Sequence, residues 1–550
     1  MIDWLVGYRK EWLRPDIIAG LITATVVIPQ AMAYATVAGL PVQAGLYTAF
    51  APAMIYAVLG SSRGLSVSTT STIGILTGTS LALAVPDGDP AMVLRASATL
   101  ALMVGVLLAL ASALRLGFLA TFISESVLSG FKAGIGLVVV LDQVPKLLGV
   151  HYPKGTFMQN VLALLRSLPE TSDATLAVGL VTFAVLLGMK RFVPRVPAPL
   201  ATVCAGIAAM ALLELQAYGV STVGAIPRGL PALTLPDLAL TAQLWPSALG
   251  IALMSFTETV AVARAFAQSG EPALRPNQEL LATGIATAGG ALLGGMSAGG
   301  GASQTSVNRR SGARSQLAGL VTGLATLLTL LFFAPLISLM PQATLAAVVI
   351  VSAAGLIHLP EFRAILAVRR TEFIWAIAAF AGVMLLGTLK GILVAIIISL
   401  VSLAQQVADP PVYRLGRKRG TNVFRPISAE HPDDETFGGL LLLRPVGRLF
   451  FANGQRVAEK IRLLIDEAQP RVVALDLSAV FDVEYTILKM FAEAEARMKE
   501  RGILVWLVAL DPEVLAAIRR SPFGQAVGQE RMFFNLEQVV ARHLATQPTR

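Results

Sequence analysis

One cysteine in 550 residues, Cys204, leaves nothing for an intrachain disulfide to join and no thiolate cluster for a metal, so it reads as a small apolar residue in a membrane span. The four histidines, His151, His358, His431 and His543, are scattered without ligand spacing and support no catalytic site. No G-x-x-x-x-G-K-[ST] loop is present, so nothing points to an ATP engine. Charge is also scarce. Only 14% of residues are charged while 55% are apolar, and a mean hydropathy of +0.70 is too high for a soluble globular protein. The composition is that of an integral membrane protein. Its first apolar stretch follows Trp4, Arg9, Lys10 and Arg14 and is one of many, which argues against a cleavable secretory signal.

Apolar runs dominate residues 17–408, after a short cytoplasmic N-terminus, 1–16. From Asp409-Pro410-Pro411 onward charges of both signs return, which marks 409–550 as a soluble domain with a mobile linker or insertion at about 414–437. Hydropathy predicts fourteen segments, at 17–38, 44–59, 66–80, 93–114, 119–142, 173–190, 197–216, 246–268, 278–293, 303–312, 315–338, 342–358, 371–386 and 388–406. The third and tenth are too short or too polar to span as ordinary helices, and each is third in a set of seven. Two repeats follow, at about 17–216 and 246–406, and the odd number per repeat requires that they be inverted in the membrane. With the N-terminus inside, Lys and Arg divide sixteen to six in favour of the predicted cytoplasmic loops and ends. Lys154, Arg166 and Arg228 count among the outer six, and Arg195 among the inner sixteen. An even number of spans also places the C-terminal domain on the cytoplasmic side of an inner membrane.

The short segments carry hydroxyls, SVSTTST from Ser66 to Thr72 and SQTSVN from Ser303 to Asn308. Polar backbone survives at membrane depth only where it is covered by protein or lines a cavity, and paired interruptions in two halves of a transporter mark a substrate site. If both helices begin near the midplane, their unpaired N–H groups and positive dipole ends face one cavity, a ready site for an anion. Ser66, Ser68, Thr69, Thr70, Ser303, Gln304, Thr305 and Ser306 can add donors there; the alternative is that the hydroxyls only satisfy helix ends or pack helices. Gln30 and Tyr34, four apart on one face of the first segment, can present an amide and a phenol to it. Glu258 lies within MSFTETVAVARAF, where an ionised acid facing lipid costs about 2.5–3.5 kcal/mol, so it faces the interior or carries a proton. Lys132 lies inside the fifth segment, seven residues beyond Glu125, as a wall charge for anions or a paired structural lysine.

Five runs together resemble the sulphate permease group, solute carrier family 26: IPQAMAYATVAGLPVQAGLY (28–47), GSSRGLSV (60–67), SESVLSGFKAG (124–134), TETVAVARAFA (257–267) and SVNRRSGARSQLAG (306–319). The resemblance covers nearly the whole chain. It implies a core domain of segments 1–4 and 8–11, a gate domain of the other six, a dimer, and proton or cation coupling at the acid that matches Glu258. The chain departs from many relatives in two places: Gln304 stands where numerous anion carriers have a basic residue, and Ser68-Thr69 replaces a glycine-proline pair.

Beyond Asp409, strand-like and helical runs alternate, which argues an α/β sheet. Their order and the loop from Asp476 to Thr486 resemble a STAS domain, but Glu484-Tyr485-Thr486-Ile487 stands where the signalling relatives carry Asp, a phosphorylatable Ser and Gly. The basic run at Arg414 to Arg419 reads as a membrane anchor facing anionic lipid rather than a nucleic-acid contact. The expected protein is a proton-coupled symporter of small anions of the carboxylate or dicarboxylate, sulphate or bicarbonate class, with elevator-like alternating access, no cofactor, and a proton rather than sodium as coupling ion. An uncoupled exchanger, an anion channel, a membrane-bound sensor and a nucleobase carrier are the alternatives.

Overall fold

The computed structural model describes residues 4–5, 8–121, 124–152, 156–193, 197–224, 226, 229 and 231–546. Of the charges used for orientation, Lys154, Arg195 and Arg228 lie outside the described residues. The chain forms two compact units, Met1–Leu400 and Val401–Arg550. The division falls inside the last apolar helix, a little before the expected boundary at Asp409.

The first unit is helical: α1 (Leu13–Val37), α2 (Val42–Leu59), a short strand β1 (Val67–Ser68), α3 (Ser71–Ala84), α4 (Pro90–Ala113), α5 (Glu125–Leu148), α6 (Phe157–Ser167), α7 (Asp173–Phe192) and α8 (Ala198–Leu212). The second half repeats the order with α9 (Thr241–Ala265), α10 (Pro276–Leu292), β2 (Gly299–Gly300), α11 (Ala302–Arg310), α12 (Leu317–Ile337), α13 (Gln342–Ala354), α14 (Leu359–Val368), α15 (Arg370–Leu386) and α16 (Thr388–Ala408). Local chemistry sets several ends. Asp89 accepts from the Met92 N–H at the start of α4, where Pro90 has no N–H to lose, and α5 stops at Gly149 with φ +73°.

Every expected segment has its helix, with two differences. The third segment is extended from Val67 to Ser68 and turns helical only at Ser71. Two helices were not anticipated: α6 and α14 lie between the fifth and sixth segments of their respective repeats. The packing obeys the repeat. The α4–α10 pair recurs as α12–α2, α5–α15 as α13–α7, and α1–α11 as α9–α3. Close approach of α4 and α10 depends on absent side chains, since a Cβ on Gly284 would lie 2.7 Å from the Gly105 carbonyl oxygen. Among the described residues seven helices are long and apolar enough to cross a membrane, and the bent pair α6–α7 makes up to eight. Large apolar side chains such as Leu212 and Phe332 are exposed at 81% and 70%, as contact with lipid tails requires.

The second unit holds a six-stranded sheet in the order β4-β3-β5-β6-β7-β8, built from β3 (Val412–Arg417), β4 (Phe424–Pro426), β5 (Leu440–Pro445), β6 (Val472–Asp476), β7 (Leu504–Val508) and β8 (Met532–Phe533). Strands β5 to β8 are parallel, with α17 (Gly454–Ala468) and α18 (Tyr485–Glu500) as crossovers between β5, β6 and β7. Three further helices, α19 (Pro512–Arg519), α20 (Pro522–Val527) and α21 (Leu536–Ala545), complete it. The stretch expected as a mobile linker or insertion, 414–437, contains regular structure. Its β3–β4 part is an antiparallel hairpin, and its charges pair off, Arg417 with Glu435 at 2.7 Å and Arg425 with Asp434 at 2.8 Å.

Candidate functional site

The two hydroxyl-rich stretches meet. β1 and β2 pair antiparallel, Val67 with Gly300 and Ser68 with Gly299, so each strand delivers its chain to the start of a short helix. The second strand is held close to α9: a Cβ on Gly300 would lie 2.9 Å from the Thr259 Cα, a backbone atom that cannot give way, while one on Gly299 would lie 2.7 Å from the Ile73 Cδ1. Hydrogen bonds tie the crossing. Gly301 N–H donates to the Ser66 carbonyl at 3.1 Å, Gly300 N–H to Thr259 Oγ1 at 2.9 Å, and Ser255 Oγ to the Ala298 carbonyl at 2.6 Å. Asn308 Nδ2 donates to the Gly64 carbonyl at 3.0 Å.

The helix starts differ in how their N–H groups are met. Thr70 caps α3, its hydroxyl accepting from Ile73 N–H at 3.3 Å and donating to Glu258 Oε2 at 2.9 Å. Gly301 offers α11 no side-chain cap. The orphan donors of that first turn are what an anion would meet.

Each expected site residue has a definite place. Ser68 and Thr69 are 1% exposed, and neither hydroxyl has a hydrogen-bond partner among the described residues. That is unusual for buried polar atoms. Ser303 is exposed and donates to Gln30 Oε1 at 3.2 Å, which brings α1 to the mouth of the same site. Tyr34, buried on the same helix, faces Ser71 of α3 and Ser352 of α13. Gln304 and Thr305 are buried inside the crossing. The Gln304 amide donates to the Thr69 carbonyl at 3.4 Å and accepts from Ser66 Oγ at 3.1 Å, while Thr305 Oγ1 accepts from Ser66 N–H at 3.0 Å. Both therefore brace the two strands. Glu258 is 7% exposed, away from lipid. Lys132 of α5 is within electrostatic range of it. The arrangement offers oriented N–H and O–H donors, one acid, and a lysine on a facing helix, which suits a small anion and a proton.

Several supporting residues escaped the sequence reading. Glu279 of α10 is fully buried and accepts from Tyr56 Oη at 2.6 Å, Ser61 Oγ at 2.7 Å, and the Ser61 and Ser62 N–H groups at 2.8 and 3.3 Å. Asp16, also fully buried, accepts from Ser315 Oγ at 2.6 Å and from the Arg314 and Ser315 N–H groups at 2.6 and 3.1 Å. The signal that singled out Glu258, an acid inside an apolar run, was absent for Glu279, which follows Arg275-Pro276-Asn277-Gln278 at the polar start of its helix. Thr259 and Ser255, which hold β2, carried no signal of their own.

The family model described as the Sulfate permease family matches residues 13–379, and the STAS domain model matches 431–539. A probable sulfate transporter of Mycobacterium tuberculosis is 34% identical over 97% of this chain and 96% of its own length. Sulfate transporter 3.1 of Arabidopsis thaliana is 30% identical over 98% of this chain and 86% of its own. Among solved structures, the murine SLC26A9 anion transporter in its inward-facing state matches with a TM-score of 0.89 at 22% identity, covering 99% of this chain and 93% of that one. The transmembrane domain of a cyanobacterial bicarbonate transporter, BicA, matches with a TM-score of 0.61 at 24% identity, covering 72% of this chain and 98% of that domain.

Proposed function

The chain belongs to the sulfate permease family and is a multi-pass membrane transporter, and from that premise we propose that it carries sulfate or another small oxyanion together with a proton. The anion sits between the first turns of α3 and α11, each of which presents about half a positive charge. Ser68 and Thr69 donate from one side, Ser303 and the uncapped N–H groups of α11 from the other. One observation carries this reading: two buried hydroxyls without a partner among the described residues lie beside a helix start with no side-chain cap, donors that an anion would take up. Sulfate comes first among oxyanions because relatives named as sulfate transporters align over nearly the whole chain.

Glu258, joined to α3 through Thr70, is the proton carrier in this reading. The bonded crossing favours movement of α1–α4 and α9–α12 as one body against α5–α8 and α13–α16, an elevator-like exchange of access. The protein then works as a homodimer in the lipid of a cytoplasmic membrane, with both termini in the cytoplasm. Counterflow in proteoliposomes tests the proposal across sulfate, bicarbonate, chloride and dicarboxylates, with and without an imposed pH gradient. Saturable counterflow, and sulfate accumulation driven by an inward proton gradient, are expected. Flux that only dissipates a gradient would identify a channel, and counterflow indifferent to the pH gradient an uncoupled exchanger.

A further inference from the structure

Neither short helix brings a cation to its first turn, and Gln304 is neutral where a basic residue was expected. A cation reaches the site from α5. Gly130 and Gly134 press α5 against α15, since a Cβ on Gly130 would lie 1.9 Å from the Ala376 carbonyl oxygen and one on Gly134 2.8 Å from Val383. Lys132, two residues from each and so about 200° around the helix, projects away from α15. Lys146 is fourteen residues further on and about 40° from the same direction, and its Nζ donates to the Thr36 carbonyl of α1 at 3.3 Å. Helix α5 also packs on α3. Gly136, about 40° to the other side of Lys132, presses α5 on α13, where a Cβ would lie 2.7 Å from the Ala353 carbonyl oxygen, so Lys132 falls between the edges of α5 that meet α13 and α1, toward the helices that carry Ser352 and Tyr34.

Lys132 is half-buried and makes no hydrogen bond or ion pair with any described residue. Other acids around α5 are engaged: Glu361 accepts from Ser129, and Glu372 accepts from Ser126 at 3.5 Å and pairs with Arg369 at 3.7 Å. Asp142, on α5 itself, also has a partner, and Glu125 is exposed. The groups facing Glu258 are Thr70 and Thr72 of α3, Tyr34 of α1, and Lys132. On its own helix Arg264 is exposed, and on the adjoining α10 Glu279 is closed off by Tyr56 and Ser61. Arg95, on α4 which also packs on α9, is exposed, so among the described residues the charge of opposite sign that bears on Glu258 is the lysine.

We propose that Lys132 supplies from α5 the positive charge that α11 lacks, and that it exchanges partners during transport, facing ionised Glu258 when the site is empty and the substrate anion when the site is loaded. The role rests on the functional reading above. On loading, the proton that enters with the anion forms an O–H bond on the Glu258 carboxylate, which releases Lys132 to the anion. Sulfate, a dianion, and one proton then add one net negative charge to the pocket, which the positive charge of Lys132 offsets, and neither binds well without the other. Coupling follows from one lysine shared between two acids.

The test uses the full-length protein in proteoliposomes with radiolabelled sulfate. Lys132→Gln should raise the sulfate KM at least about tenfold, equivalent to about 1.4 kcal/mol, and flatten its dependence on pH. Lys132→Arg should keep both near wild type, because the charge remains. Glu258→Gln should lower the KM at alkaline pH, where the wild-type acid competes for the lysine, and adding Lys132→Gln should abolish that gain. Should Lys132→Gln fail to insert, Lys132→Met carries the same expectations. A neutral variant with the wild-type KM and pH profile, or effects of the two substitutions that simply add, would overturn the exchange. Wild-type protein without counterflow of any anion would overturn the functional reading and the lysine's role with it, whereas wild-type counterflow beside an unaltered Lys132→Gln overturns the lysine's role alone.

Discussion

Removing the Ser68 and Thr69 hydroxyls should separate affinity from stability. In most buried sites deletion of a hydroxyl breaks a protein hydrogen bond and weakens both. Here neither Oγ has a partner among the described residues, so Ser68→Ala and Thr69→Val break no internal bond, and removal of an unsatisfied buried polar atom is neutral or stabilising. The loss should fall on the anion. A hydrogen bond to a charged group contributes about 1.5–3 kcal/mol, which at about 1.4 kcal/mol per decade corresponds to a rise in KM of about 10- to 150-fold for each variant. Saturation of sulfate counterflow gives KM, and heating of the detergent-purified protein followed by size exclusion gives the melting temperature. Ser80→Ala is the control, since its hydroxyl donates to the Leu76 carbonyl of its own helix at 2.6 Å, away from the proposed donors; its KM should not move. Wild-type KM in both Ser68→Ala and Thr69→Val would refute the placement of the anion. So would a lowered melting temperature with an unchanged KM, which would show that the hydroxyls serve the fold.

Three other outcomes follow from the same geometry. Glu258→Gln keeps a group able to accept from Thr70 but cannot take a proton, so accumulation driven by a pH gradient should vanish while counterflow persists; wild-type accumulation in this variant would make Glu258 structural. Glu279→Leu leaves two buried and two part-buried donors of α2 and its following loop without their acceptor and, at about 1–3 kcal/mol for each buried donor left unsatisfied, should cost about 2–6 kcal/mol, read as a lowered melting temperature; an unchanged one would discard the bracing role. In the second unit the hydrogen bond from Arg425 holds the Asp434 carboxyl below its ordinary value. The stabilisation it gives is complete above the usual aspartate pKa of about 3.9 and is lost only as pH falls through the lowered folded value. Hydrogen exchange of residues 412–426 relative to β6 should therefore hold level from pH 7 down to about 4 and rise below it, with the step absent in Arg425→Gln; an opening already at pH 5–6 would contradict the assignment.

The helices were legible because hydropathy is a long-window signal, and the third and tenth segments stood out because hydroxyls interrupted it. What the window could not see was short or mixed. β1 and β2 are two residues each, below any periodicity, and β2 lies close against α9 because Gly300 carries no Cβ to meet Thr259. Helix α14 was hidden by Glu361 and Arg363 beside a proline, and α6 by its polar face. At the site, residue type predicted donors but could not separate the two hydroxyls left open, Ser68 and Thr69, from Gln304 and Thr305, whose polar groups are taken up by the crossing. That distinction depends on partners more than two hundred positions away in the chain. In the polar stretch at 414–437 composition could not tell solvated charge from charge paired across a hairpin, as Arg417 and Glu435 are.

The Val67–Gly300 and Ser68–Gly299 ladder has a consequence for the chain as a product of duplication. Each half contributes one strand and one helix start, and neither strand has a partner within its own half. A half-length polypeptide would carry an unpaired edge at membrane depth and only one of the two donor turns. Two separate halves could rebuild the pocket only by docking strand to strand. A change that tunes one helix start is transmitted across the ladder to the other, which binds the divergence of the two repeats together at this seam even where the rest of their sequences have drifted apart.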